Sequence, residues 1–157
     1  MKKIALFLAS GFGTGYAPVA PGTFGTVPGM ALFILVAALA PEALFMEAHL
    51  LALGLLIGLG WWACEMGGRA WGHDDGKIVI DEMAGVYLTM LFVPQDWRWW
   101  VAAFLVFRIS DIVKPQPAKW FDQQKGGFYT LVDDLVAGLY AGLFLLMIQM
   151  FMDGRLP

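Results

Sequence analysis

Charge is what this chain has least of. Asp, Glu, Lys and Arg make up only 15% of its 157 residues while 59% are hydrophobic, whereas a soluble domain carries roughly a quarter charged residues. With a mean hydropathy of +0.67, that shortage excludes an ordinary water-facing surface and predicts an all-α, multi-helix integral membrane bundle. Ten Lys plus Arg and a net charge of −3 leave no broad basic face, which excludes nucleic acid as a partner. Cysteine is reduced to Cys64, so there is no internal disulfide, and the thiol reads as buried and structural. Histidine is reduced to His49 and His73. His49 is expected to face solvent or headgroups at a hairpin end, and His73, beside Asp74 and Asp75, to sit in a solvated turn marked by Asp75-Gly76. There is no Cys-x5-Arg signature, no Asp-x-Asp pair, and no Ser or Cys beside a usable His. Nucleophilic designs of those kinds are excluded, and carboxylates are left as the acid–base groups.

What is present is a series of apolar runs: 30–40, 48–64, 78–94, 97–113 and 134–152. They predict four to five membrane helices, with a short interfacial helix at AKWFDQQ (118–124), in one domain over 1–157. The first run is short against the roughly 20 residues a bilayer needs and must borrow from its flanks. Residues 11–29, GFGTGYAPVAPGTFGTVPG, hold too much Gly and Pro for a regular helix. They read either as a flexible lead-in to the first membrane helix or as a loop whose backbone N–H groups and Thr14, Thr23 and Thr26 hydroxyls contact phosphate, although the spacing is not a P-loop. Gly54, Gly58 and Gly60, and the pairs Ala137/Ala141 and Gly138/Gly142, offer small faces for close helix contact. IALFLA after Met1-Lys2-Lys3 is shorter than the roughly 7–15 residues of a signal core. It reads as a helix lying at the interface or packed on the bundle. Lys and Arg gather at the amino terminus and in the links 67–77 and 114–125, which places these segments on the cytoplasmic side by the positive-inside rule.

The polar segment 108–138 is the exception to the grease. Arg108, Asp111, Lys114, Lys119, Asp122, Lys125, Asp133 and Asp134 interleave both signs there, a composition suited to holding a cation and an anion together. Thr130, three residues before Asp133, reads as a capping-box start for the last helix. VIDEMAGVY (79–87) and LVDDLVAGLY (131–140) echo one another: two acids, then Ala-Gly, then Tyr. Small residues in both would let the two helix starts approach, bringing Asp81 and Glu82 to Asp133 and Asp134. An antiparallel hairpin of 78–94 with 97–113 would put Arg108 and Asp111 at the same end. Charges inside apolar helices are costly and should share a polar cavity, and such a cavity suits a hard cation such as Mg²⁺.

The blocks GFGTGYAPVAPGTFGT, IVIDEMAG and FRISDIVKPQPAKWFDQQKGGFYTLVDDLVAG together resemble the phosphatidylglycerophosphatase A family across essentially the whole chain. The resemblance implies Mg²⁺-dependent removal of the terminal phosphate of phosphatidylglycerophosphate, an anionic phospholipid, at the bacterial inner membrane. It places the family's acidic positions on Asp81, Glu82, Asp111, Asp133 and Asp134. On this basis Asp81, Glu82, Asp133 and Asp134 are the expected Mg²⁺ ligands. Asp111 is expected to complete the site or position water; Arg108, Lys114 and Lys119 to bind phosphate; and the threonine-bearing loop to close over the headgroup. Two other readings compete. CDP-alcohol phosphotransferases use intramembrane aspartates, but their D-G-x-x-A-R pattern is absent. A small cation carrier or channel subunit would line an ion path with the acids. Oligomeric state is left open.

Overall fold

The computed structural model describes residues 1–73 and 75–155. Among these the chain is helical and has no strand. Seven α-helices run in order: α1 (Lys2–Ala9), α2 (Pro21–Leu39), α3 (Phe45–Trp71), α4 (Ile80–Met90), α5 (Trp97–Val113), α6 (Ala118–Asp122) and α7 (Gly127–Met152).

The bundle is built around α4. Its Met83, Ala84, Val86, Tyr87 and Met90 are buried, because α2, α3, α5 and α7 all pack against it. The outer faces stay apolar: Leu35, Leu51, Leu55, Leu105, Phe144 and Met147 are all more than half exposed. Aliphatic side chains outside and carboxylates inside are the arrangement a lipid solvent favours, since only the interior can satisfy polar groups. Three helices, α2, α3 and α7, are long and apolar enough to cross a membrane, so the all-helical bundle stands while a count of four to five spans is not confirmed. With 11 residues, α4 is about 16 Å long against a hydrocarbon core of about 30 Å. It is a short buried strut, and α5 at 17 residues stands at the lower limit of length for a crossing.

Several boundaries depart from the sequence reading, for physical reasons. Residues 21–29 are helical, not loop: Pro21 occupies the first helical position, where its missing N–H costs nothing. The glycines of that segment serve packing. A Cβ at Gly25 would lie 2.3 Å from the Val79 side chain and one at Gly29 2.6 Å from the Met83 carbonyl oxygen. By starting at Pro21, α2 gains the length that its apolar run lacked. The helix α3 runs through the supposed polar link to Trp71, aided by the i,i+4 pair Arg69–Glu65 at 3.0 Å. Gly54 and Gly58 face open space, and only Gly60 of that trio meets a neighbour, Leu131.

His49 is fully buried rather than exposed. Its Nδ1 lies 2.8 Å from the Tyr87 hydroxyl and its ring stacks on Phe33 at 4.2 Å. The hydrogen bond and the aromatic sandwich make its burial tolerable. Cys64 is buried, as expected. The helix α1 packs on α3 through the buried Ala5 and Ala9, leaving Ile4 and Phe7 outward.

Three cation-bearing segments meet at one end. Val79 N–H donates to the Ala9 carbonyl at 2.8 Å, His73 Nε2 lies 2.8 Å from the Gln124 carbonyl oxygen, and Gly15 abuts the Lys77 backbone. Asp74, expected beside His73, lies outside the described residues.

Candidate active site

Two helices that echo each other in sequence bring the acids together. Gly85 and Gly138 are placed back to back: a Cβ on Gly138 would fall 2.3 Å from the Gly85 carbonyl oxygen, and one on Gly85 2.7 Å from the Asp134 carbonyl oxygen. Thr89 stitches the contact, its hydroxyl lying 3.0 Å from the carbonyls of both Gly85 and Gly138. This close crossing sets the acidic starts of α4 and α7 side by side. Carboxylate oxygens of Asp81, Glu82 and Asp134 lie within 4.8 Å of one another.

They line a polar cavity of about 190 Å³ together with Asp75, Gly76, Ile78, Asp111, Lys114 and Asp133. Asp111 comes from the last turn of α5 and pairs with Arg108 at 2.7 Å. Arg108 also faces Glu82 at 3.9 Å, and Asp111 lines the same cavity as Asp134. Lys114 caps the end of α5, and its ammonium bridges Asp122 and Asp133. Burial works against that charge, but the two carboxylates outweigh it and raise the lysine pKa above its ordinary value. At the rim Lys77 binds Asp75 through both carboxylate oxygens, at 2.9 and 3.1 Å, and holds that carboxyl below the usual range.

All five predicted acids therefore border one cavity, with Arg108 and Lys114 beside them. Asp133 differs in detail, since its nearest cation is Lys114 and it stands apart from the Asp81–Glu82–Asp134 group. Lys119 is exposed on α6 and does not line the cavity. The threonines are not brought in as a loop. Thr14 donates to the Gly11 carbonyl at 2.9 Å, and Thr26 is buried and donates back to Gly22 at 2.8 Å. Thr23 stands on the first turn of α2. What approaches the site from this region is backbone: a Cβ on Gly22 would meet Glu82 Oε1 at 2.2 Å and the Arg108 guanidinium at 3.1 Å. The start of α2 is thus held against the Glu82–Arg108 pair through Gly22.

Two contributors escape the sequence reading. Asp75 lines the cavity; the Asp75-Gly76 turn is legible, but nothing local ties it to the acids of α4. Glu65 reads as the start of a link, yet it accepts from the Gly127 N–H at 3.0 Å and so caps α7 from another helix. Thr130 does not cap that helix. It lies inside the first turn, its hydroxyl 3.4 Å from the Gly126 carbonyl. Glu65→Ala removes the acceptor and is expected to cost about 1 kcal/mol. Thermal unfolding in detergent should then show a transition a few degrees lower, and an unchanged transition would deny Glu65 that role.

The donor set fits a divalent magnesium ion. It is all oxygen and anionic, as that ion prefers, and Glu82 Oε2 is buried with no hydrogen-bond partner, an acceptor with which a cation would be compatible.

Proteins of known name are similar to this chain. The sequence model of the family described as phosphatidylglycerophosphatase A matches residues 7–149. A Haemophilus influenzae phosphatidylglycerophosphatase A is 37% identical over 160 residues, covering 97% of this chain and 96% of that protein. An Escherichia coli phosphatidylglycerophosphatase A is 38% identical over 137 residues, 84% of this chain and 76% of that one. A Bacteroides thetaiotaomicron protein named putative phosphatidylinositol-3-phosphatase is 36% identical over 141 residues, 88% of this chain and 89% of its own. No solved structure matches. Helices with apolar outer faces and an acidic, cation-bordered cavity at one end, shared with relatives of these names, define the class: a helical membrane phosphatase acting on phosphoric monoesters. Within that class the chain belongs to the phosphatidylglycerophosphatase A family. The cation-carrier alternative finds no support among the relatives.

Proposed function

We propose that the protein hydrolyses phosphatidylglycerophosphate to phosphatidylglycerol and inorganic phosphate, with Mg²⁺, at the cytoplasmic face of a bacterial inner membrane. One observation carries the reading: the carboxylates of Asp81, Glu82 and Asp134 converge from two helices in a cavity lined by Lys114, with Arg108 paired to two of its carboxylates, Glu82 and Asp111. The cytoplasmic placement is supported by the meeting of three Lys- and Arg-bearing segments at the cavity end.

Asp81, Glu82 and Asp134 would hold the Mg²⁺, which when bound lowers the pKa of a coordinated water and neutralises phosphoryl charge. Asp111 orients the Arg108 guanidinium through their 2.7 Å contact, so that its remaining donors present to the phosphoryl oxygens. Lys114, which lines the cavity, supplies a second cation. The N-terminal turn of α2, brought against Glu82 and Arg108 by Gly22, would offer an anion at most the Gly22 N–H, because Pro21 has none and those of Thr23 and Phe24 donate to the Ala20 carbonyl. Apolar faces beside the cavity would keep the acyl chains in lipid while only the headgroup enters.

The names of the relatives point to two headgroups, glycerophosphate and inositol 3-phosphate. Phosphate release by the detergent-solubilised protein from phosphatidylglycerophosphate and from phosphatidylinositol 3-phosphate, side by side, tests the choice. Faster release from phosphatidylglycerophosphate is expected. Release confined to the inositol lipid would overturn the substrate while keeping the chemistry.

A further inference from the structure

Lys114 stands where an amino acid with a Cβ is costly. It ends α5 at φ 45°, ψ 68°, the left-handed region in which glycine is the unstrained choice. Proline follows it and narrows the backbone further. The residue is therefore kept for its side chain. That side chain reaches into the cavity wall and divides its ammonium between two carboxylates of unlike setting. Asp133 is 3% exposed and lines the same cavity as Asp81, Glu82 and Asp134, whereas Asp122 is 32% exposed and does not line it.

The balance of charge is one-sided. Asp81, Glu82, Asp111, Asp133 and Asp134 crowd the cavity against Arg108 and Lys114. Crowded carboxylates need cations near them, and a divalent ion supplies more charge at shorter range than an ammonium does.

We propose that Lys114 is a displaceable counter-ion: it occupies Asp133 in the metal-free protein, yields that carboxylate to the divalent cation, and is retained at the cavity mouth by Asp122. This rests on the metal-dependent reading of the site and gives Asp122 a role as a positioning residue. Asp133 then joins the ligand set predicted from sequence, and the released ammonium stays tethered where the substrate phosphate enters. The exchange is between ion pairs only; no bond to carbon is made or broken.

The test uses the full chain in detergent micelles, without substrate, and reads Mg²⁺ binding by calorimetry and amine reactivity by mass spectrometry after reductive methylation. In the wild type, Lys114 should be protected without Mg²⁺ and become several-fold more reactive with it, while exposed Lys119 reacts equally in both states. Lys114→Met should bind Mg²⁺ on the order of tenfold more tightly, because the ion no longer competes with an ammonium. Asp122→Asn should weaken Mg²⁺ binding, because the displaced ammonium then loses its second carboxylate; an unchanged affinity in that variant would overturn the positioning role of Asp122. Mg²⁺ binding by the wild type with no change in Lys114 reactivity would overturn displacement and leave the metal site standing. An affinity unchanged or lowered in Lys114→Met would do the same. No Mg²⁺ binding in any of the three proteins would overturn the metal-dependent reading together with the inference.

Discussion

Asp134→Asn is expected to lower turnover by at least about 10²-fold while leaving the bundle folded. Asp134 is the point where the two acidic helix starts meet: its carboxylate groups with those of Asp81 and Glu82, and Asp111 lines the same cavity. Asparagine keeps the shape and one acceptor oxygen but removes the charge that a divalent cation needs. The same change relieves repulsion, because these buried carboxylates crowd one another. The folded state should thus be as stable as the wild type or more so, a stability gained at the expense of the site. Turnover and the thermal transition, measured on one preparation, separate these effects. Wild-type turnover in a folded Asp134→Asn protein would remove Asp134 from the chemistry.

Gly138→Ala should do damage of the opposite kind. The added Cβ would lie 2.3 Å from the Gly85 carbonyl oxygen and 3.0 Å from its Cα. Both are backbone atoms of a helix buried on all sides, so nothing flexible can move aside. Overpacking of this sort costs about 1–3 kcal/mol, and the only relief is for α4 and α7 to separate. Turnover should fall along with stability, because Asp81 and Glu82 ride on one helix and Asp134 on the other. Gly54→Ala is the control: a Cβ there meets nothing within 4 Å, and the helix should gain about 0.5–1 kcal/mol. Stability and phosphate release of the two variants give the comparison. A Gly138→Ala protein as stable and active as Gly54→Ala would contradict the close crossing.

The echo between 79–87 and 131–140 is the part of the site most legible in the amino-acid sequence. Two acids followed by Ala-Gly state both the chemistry and the means of approach, and the crossing at Gly85 and Gly138 realises it. The span of α5 is legible at both ends for an equally local reason. Asp96 caps it by accepting from Arg98 N–H at 2.9 Å, and the Lys114-Pro115 step ends it.

What is not legible depends on partners far along the chain. The glycines and prolines of 11–29 look like helix breakers because in water they are. Between apolar neighbours Gly22, Gly25 and Gly29 instead allow α2 to lie directly on Arg108–Glu82, Val79 and Met83. Nothing near His49 in sequence announces Tyr87, and nothing near Gly126 announces that Glu65 will cap the helix beginning at Gly127. The number of spanning helices is hard to read for a different reason: hydropathy cannot separate a strut buried in protein from a segment buried in lipid. With Tyr87, Val86 and Met90 all enclosed, α4 is apolar because it is buried in protein.

The most direct test of the proposed metal dependence is phosphate release from phosphatidylglycerophosphate by the purified protein in detergent, first with Mg²⁺, then with chelator, then with Mg²⁺ restored. Release that stops on chelation and returns with the ion is the predicted result, since the oxygen-only cluster of Asp81, Glu82 and Asp134 is assigned to hold that ion. Release that continues undiminished in chelator, from a protein shown to be folded and free of metal, would contradict the central claim.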